Sequence, residues 1–259
     1  MIHALEHLGE IEARLAGKLA CVFLDYDGTL TPIVARPDLS LLDGGMRAIL
    51  RDLAGRCSVA VVSGRDLDDV RRLVGLDNLV YAGSHGFDIA GPGGLSIEHE
   101  EAAAFAAAVK RATAALRAAL GSIDGALVEP KRFAVAVHYR QVAESEVSEV
   151  EAVVDRVIEA VPELRMTHGK KVFELRPRVD WDKGKAVLWL LSALGEEGAD
   201  FVPFYLGDDL TDEDAFEALG ERGVAIFVGK SERSAARYVL RDPGEVGVFL
   251  TELARMIDR

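Results

Sequence analysis

Cysteine is scarce. Cys21 and Cys57 are the only two in 259 residues, too few for a disulfide framework. Each opens an apolar, strand-like run, and both read as buried, reduced core residues, because an unpaired cysteine behaves as a small hydrophobe. Nothing in them demands an oxidising compartment, and the cytoplasm is the expected location. Apolar runs of the ~18 residues that a membrane-spanning helix needs are missing. Residues 1–20, MIHALEHLGEIEARLAGKLA, are charged throughout. They lack the basic-then-apolar layout of a secretory signal and read as a short helix. Positive charge is in deficit too: 30 basic against 43 acidic side chains leave a net charge of -13. Such a surface does not suit nucleic acid or an anionic membrane. An anionic substrate would need a local positive patch or a metal. Solenoid-length repeats and low-complexity linkers are absent, although 102–119 is alanine-biased. No Gly-x-Gly-x-x-Gly opens a helix after the first strand, which sets aside a dinucleotide-binding enzyme.

What is present is ordinary globular material, 49% hydrophobic and 28% charged. That suffices for one large core, or for a core with a smaller second domain. Buried strands are expected at 20–25, 57–64 and 78–84, with helices near 44–53 and at 66–75. Continuous rather than alternating apolar runs mean strands covered on both faces, as in parallel α/β sheets. The pattern then changes. A helix over 100–120, a hairpin of 125–129 with 132–140, a helix over 144–161 and a hairpin of 164–169 with 171–177 make an αββαββ unit. The α/β rhythm returns with a helix at 183–195 capped by Asp182, a strand at 201–209, a helix at 211–219, a strand at 223–229 and a last helix from about Glu245. The expected domains are a discontinuous core of 1–101 and 180–259 and an inserted α+β domain of 102–179.

In open α/β sheets, ligands sit beyond the carboxyl ends of the strands. Asp25 and Asp27 follow the first strand in FLDYDGTL, Ser63 and Arg65 follow another in VVSGR, and Asp208 and Asp209 follow a third in FYLGDD. Four carboxylates at one rim repel one another unless a hard cation lies among them, and oxygen-only donors suit Mg²⁺. Each motif alone has a plainer reading. Asp-Gly is a common turn, Lys183 can be a solvated first-turn lysine, and Thr211 with Asp214 reads as a capping-box-like helix start. DxDGT, SGR, a lysine at a helix start and GDDxTD in this order are far more specific.

Together DYDGTLTPI, SGR, Lys183 in DWDKGKAV and GDDLTDED resemble the four motifs of the haloacid-dehalogenase-like (HAD-like) phosphatases. YAGSHG, EPKRFAVAVHYR, GKKVFELRP and VDWDKGKA extend the resemblance to trehalose-6-phosphate phosphatases, over about residues 20–240. It implies a HAD-like Rossmannoid α/β core with a mainly parallel sheet and an inserted cap. It also implies a Mg²⁺-dependent monoesterase working through an aspartyl-phosphate on Asp25. Asp27 would be general acid and then base, with Thr29 orienting it. Ser63 and Lys183 would hold the phosphoryl group, with Arg65 meeting substrate. The metal would be held by Asp25, the Asp27 backbone carbonyl and Asp208, with Asp209 and Asp212 farther out or acting through water.

In RFAVAVHYR the period-two alternation puts Phe133, Val135, Val137 and Tyr139 on a face that meets the helices. Arg132, Ala134, Ala136, His138 and Arg140 share the other face. That second face could be a solvated surface with cross-strand ion pairs, or a site for a hydroxyl-rich ligand. The resemblance favours the latter, with Glu129, Lys131, Arg140, Lys170 and Glu174 binding the sugar. His138 is a further candidate, and His85 can be a turn residue. The cap is expected to close over the core and exclude water. The expected partner is a small-molecule sugar phosphate, with no nucleic acid and no membrane, and the protein is expected to be a monomer. Sucrose 6-phosphate and mannosyl-3-phosphoglycerate phosphatases, a phosphomutase, and a non-catalytic sugar-phosphate sensor are the alternatives.

Overall fold

The computed structural model describes residues 1–98 and 106–258. The chain divides into two compact units, Met1–Ile97 with Trp181–Arg259, and Glu98–Asp180. The start of the helix expected from residue 100, and the boundary expected at 101/102, lie outside the described residues.

The first unit opens with β1 (Ile2–His3), α1 (Leu8–Leu15), β2 (Leu19–Leu24), α2 (Gly44–Leu53), β3 (Ser58–Val62), α3 (Leu67–Val74), β4 (Val80–Gly83), β5 (Asp88–Ala90) and β6 (Ser96–Glu98). The second unit holds α4 (Ala106–Leu120), β7 (Leu127–Pro130), β8 (Val135–His138), α5 (Val147–Ala160), β9 (Leu164–Gly169) and β10 (Val172–Pro177). The first unit resumes with α6 (Lys183–Ala193), β11 (Phe201–Gly207), α7 (Leu210–Leu219), β12 (Val224–Val228), β13 (Tyr238–Leu240) and α8 (Pro243–Ile257). Among the described residues, no helix is long and apolar enough to cross a membrane.

The core sheet has nine strands in the order β1-β13-β12-β11-β2-β3-β4-β5-β6. Pairing is parallel from β1 through to β4, and β5 returns antiparallel to β4. Alternate residues of the central strands go to opposite faces, and both faces are covered. Val22, Leu24, Val61, Phe204 and Leu206 pack with Leu50 of α2 and Phe249 of α8. Cys21, Phe23, Val62 and Tyr205 pack with Leu190 of α6 and Phe216 of α7. Two-sided burial is why these strands are apolar throughout. Both cysteines are free, Cys21 buried and Cys57 half-buried. The strand order turns outward in both directions from the β11–β2 boundary, so the crevice of this sheet lies where β2 and β11 end.

Two local readings are corrected. The last helix starts at Pro243, because Asp242 caps it through Glu245 N and proline suits the first helical position. The start of α7 is a capping box of Asp209 and Asp212, not Thr211 and Asp214.

The second unit is a four-stranded antiparallel sheet, β7-β8-β10-β9. Val135, Val137, Phe173 and Leu175 pack against Ala112, Leu116, Val150 and Val154 of α4 and α5. Tyr139 packs at the edge of this cluster. Phe133 lies in the turn that precedes β8 and is not one of its members, because strand alternation begins only at Val135.

Candidate active site

The parallel ladder carries Asp25 to the rim. Leu24 pairs with Leu206 on one side and Val61 on the other, and Asp25 N still donates to the Leu206 carbonyl at 2.9 Å. The chain then turns sharply, with Gly28 N donating to the Thr31 carbonyl at 2.8 Å. Gly28 has φ +93, and a Cβ there would stand 1.9 Å from Asp208 Oδ2. The DxDGT glycine therefore supplies a backbone shape and also makes room for the carboxylate from the next strand. Asp25, Asp208 and Asp212 offer oxygen atoms within 4.8 Å of one another, and all three are buried.

Lys183, the first residue of α6, is also buried. Asp182 caps the helix by accepting from Lys185 N at 2.8 Å. The Lys183 ammonium donates to Asp25 Oδ1 and Asp212 Oδ1, each at 2.7 Å. Asp212 is a hub. Its Oδ1 also accepts from Tyr205 Oη at 2.7 Å, and its Oδ2 accepts from Asp208 N at 3.0 Å and Asp209 N at 2.9 Å. Four donors engage this one carboxylate, so Asp212 fixes Lys183 and the strand end. Gly207 makes this possible, since a Cβ there would lie 2.3 Å from Asp212 Cγ.

Burial pushes the Asp25 carboxyl well above the carboxylate range, and the charges of Asp212 and Asp208 add to the effect while Lys183 opposes it. Burial works against the Lys183 charge, but Asp212 and Asp25 outweigh it and raise that group. Burial and the neighbouring Asp212 raise the Tyr205 phenol, so it stays a donor. One ammonium among three close carboxylates is an excess of negative charge in a buried place. An oxygen-only donor set of that charge fits a small divalent cation.

Asp27 points elsewhere. Its carboxylate is gripped by the Arg65 guanidinium, with two contacts of 2.7 Å, and accepts from Ser40 Oγ at 2.8 Å. Thr29, expected to orient it, has a buried hydroxyl without a hydrogen-bond partner; Ser40 and Arg65 orient Asp27 instead. Ser63 is buried at the end of β3, and its Oγ accepts from Arg65 N at 3.1 Å. His85 is a turn residue with φ 59, and its N–H donates to the Ser63 carbonyl at 2.8 Å. Ser40, thirteen residues from Asp27 in an irregular segment, carries no sequence signal. Tyr205 reads only as another strand apolar. The spacing of Asp212 in GDDLTD was visible, and its hub position was not.

In the second unit, Ala136 lies between Glu129 of β7 and Glu174 of β10 in register. Glu129 contacts His138 at 2.6 Å, and Lys131 donates to Glu174 at 2.6 Å. Arg176, not singled out from sequence, approaches Glu174 at 3.8 Å. Arg140 is exposed and donates to the Lys170 carbonyl at 2.6 Å in the hairpin turn. The sheet thus gathers Glu129, Lys131, His138 and Glu174 on one small-residue face, with Arg140 and Lys170 at its end.

The family model described as trehalose-phosphatase matches residues 23–243. A trehalose-phosphate phosphatase of Mycobacterium tuberculosis is 48% identical over 98% of this chain, and the chain spans 66% of that relative's length. A solved trehalose-6-phosphate phosphatase related protein aligns with TM-score 0.79 and 26% identity, covering 91% of this chain and 97% of the other. The C-terminal domain of a Candida albicans trehalose-6-phosphate phosphatase reaches TM-score 0.84 at 24% identity, covering 96% and 97%, a likeness of fold. A HAD-like α/β architecture and a family match that runs from β2 to the start of α8 thus agree, and the chain belongs to the trehalose-phosphatase family.

Proposed function

We propose that this protein hydrolyses trehalose 6-phosphate to trehalose and phosphate. The observation that carries the reading is the buried Lys183–Asp25 contact at the crevice of the sheet, beside Asp208. Family membership supports the substrate class. Lys183 engages Asp25 Oδ1, which leaves Oδ2 for in-line attack on phosphorus. The phosphorus–oxygen bond to the sugar breaks, and Asp27 delivers its proton to the departing oxygen. Water then attacks the Asp25-bound phosphorus, Asp27 takes the water proton, and the Asp25–phosphate bond breaks. Lys183 and Ser63 hold the transferring group, and Asp212 with Tyr205 holds Lys183 in place. Asp25, Asp208 and the Asp27 backbone carbonyl would hold Mg²⁺, which supplies positive charge to the phosphoryl oxygens.

Residues 102–179 act as a cap whose polar face reads the sugar. Glu129, Lys131, Glu174, Arg140 and Lys170 offer the acceptors and donors that sugar hydroxyls need, with His138 paired to Glu129.

The test is phosphate release from trehalose 6-phosphate, sucrose 6-phosphate and glucose 6-phosphate, each with Mg²⁺ and with EDTA. Metal-dependent release from the trehalose ester alone is expected. Release from another ester instead would keep the aspartate chemistry and remove the sugar assignment. Tight binding of trehalose 6-phosphate without turnover would replace the enzyme by a sensor.

A further inference from the structure

Asp27 stands two residues beyond Asp25, past the last bond of the β ladder, so the sheet does not set its aim. Two other segments do. From the β3–α3 turn, Arg65 Nε donates to Asp27 Oδ2 and Nη2 to Oδ1, each at 2.7 Å. From the loop before α2, Ser40 Oγ donates to the same Oδ1 at 2.8 Å.

Both braces are themselves braced. Arg65 Nη1 donates to Asp69 Oδ2 at 2.9 Å, and Nη2 to the Pro37 carbonyl at 2.9 Å. Its guanidinium carbon lies 5.2 Å from the centre of the Tyr26 ring. Burial works against the Arg65 charge, but Asp27 and Asp69 more than offset it. Tyr26 Oη donates to the Ser40 carbonyl at 2.9 Å, and Thr31 Oγ1 meets Ser40 Oγ at 2.7 Å. Arg65 and Ser40 are 8% and 1% exposed. A guanidinium with all three nitrogens engaged, and two carboxylates on it, is neither a vacant anion receptor nor mobile. Its planar fork fixes the plane of the carboxylate it grips.

We propose that Arg65 and Ser40 are positioning residues for Asp27, holding its carboxyl group in the orientation that proton transfer needs, in place of the substrate contact that sequence suggested for Arg65. The inference rests on the phosphatase reading, in which Asp27 is the proton carrier. As Asp27 gives its proton to the leaving oxygen, the negative charge that appears on it falls among donors already in place. The same carboxylate then receives the proton from water, with no reorientation between the two halves.

Proton delivery matters most when the leaving oxygen is basic. The test is therefore kcat/KM for phenyl phosphate, 4-nitrophenyl phosphate and trehalose 6-phosphate, in the wild type, Ser40→Ala and Arg65→Lys. Wild-type turnover of these esters bears on the phosphatase reading; the variant-to-wild-type ratios bear on the clamp. The expected loss is about 10- to 100-fold for phenyl phosphate and the trehalose ester, with 4-nitrophenyl phosphate little changed, because its leaving group departs without a proton. In an Asp27→Asn background the same substitutions should cost nothing more. Equal losses on both aryl esters would overturn the proposal in favour of a structural role. A loss confined to the trehalose ester would overturn it in favour of a substrate contact. Ser40→Ala removes a single hydroxyl and keeps the test open should Arg65→Lys disturb folding.

Discussion

The two units set their paired polar groups in contrasting surroundings. In the core, the Asp25 and Lys183 side chains are 7% and 3% exposed, and Lys183 is shared with a saturated Asp212. In the inserted unit, Lys131 and Glu174 are 12% and 9% exposed, but Glu129 and His138 are 34% and 24% exposed. A buried ion pair is strong in place and destabilising when one partner is lost. A half-exposed pair contributes little to stability, so a sugar hydroxyl can replace one partner at small cost. The contrast between the Lys183 set and the Glu129–His138 pair suits the two tasks proposed above. Phosphoryl transfer needs groups that do not reorganise as charge moves, whereas recognition needs groups that can change partners.

The largest expected effect strikes the core set. Asp25→Asn should lower turnover of every phosphate ester by about 10⁴-fold or more, with the circular dichroism spectrum of the fold retained; turnover on any ester near the wild-type rate would remove Asp25 as nucleophile. Next is Gly28→Ala, whose Cβ would collide with Asp208. Displacing that carboxylate by about 1 Å should cost roughly 10²-fold on all esters and weaken divalent-cation binding, read by calorimetry on the phosphate-free protein. Unchanged cation affinity would mean that Asp208 is no ligand.

In the inserted unit the effect should depend on the substrate. Glu129→Ala should cost about 10- to 100-fold on trehalose 6-phosphate and little on an aryl phosphate, and equal losses on both would erase the distinction between the two units. The smallest effect lies away from both sites. Glu196 is buried and accepts from Ser58, while its Oε2 has no hydrogen-bond partner. Burial raises its carboxyl above the ordinary 4.5. A folded-state value raised above the unfolded one gives stability that is present below the unfolded pKa and lost as pH rises through the folded value. Glu196→Gln should therefore raise the melting temperature relative to wild type, by an amount that grows as pH rises above about 4.5. A difference independent of pH would show that the carboxyl does not titrate differently in the two states.

Much of the fold was legible because two-sided burial writes itself into composition. LACVFL, SVAVV and FVPFYLG are apolar without alternation, and each is a central parallel strand. The change to helix-strand-strand spacing likewise marked the antiparallel sheet. What escaped the sequence was set by distant partners. The two-residue β1 has no pattern of its own and exists because Tyr238 and Val239 lie beside it. Strand β5 is only three residues long and depends on β4.

The candidate site divides in the same way. The sequence by itself determined that Asp25, Ser63 and Asp208 would reach one rim, because each follows a buried strand and parallel strands end together. It also determined that Lys183 would start a helix. The tertiary structure alone decided which of these groups touch. Ser40 rather than Thr29 reaches Asp27, and Asp212 holds Lys183. The physical reason is range. Strand and cap propensities act over a few residues, whereas a hydrogen bond between Arg65 and Asp27 joins groups 38 positions apart and depends on where the chain between them runs.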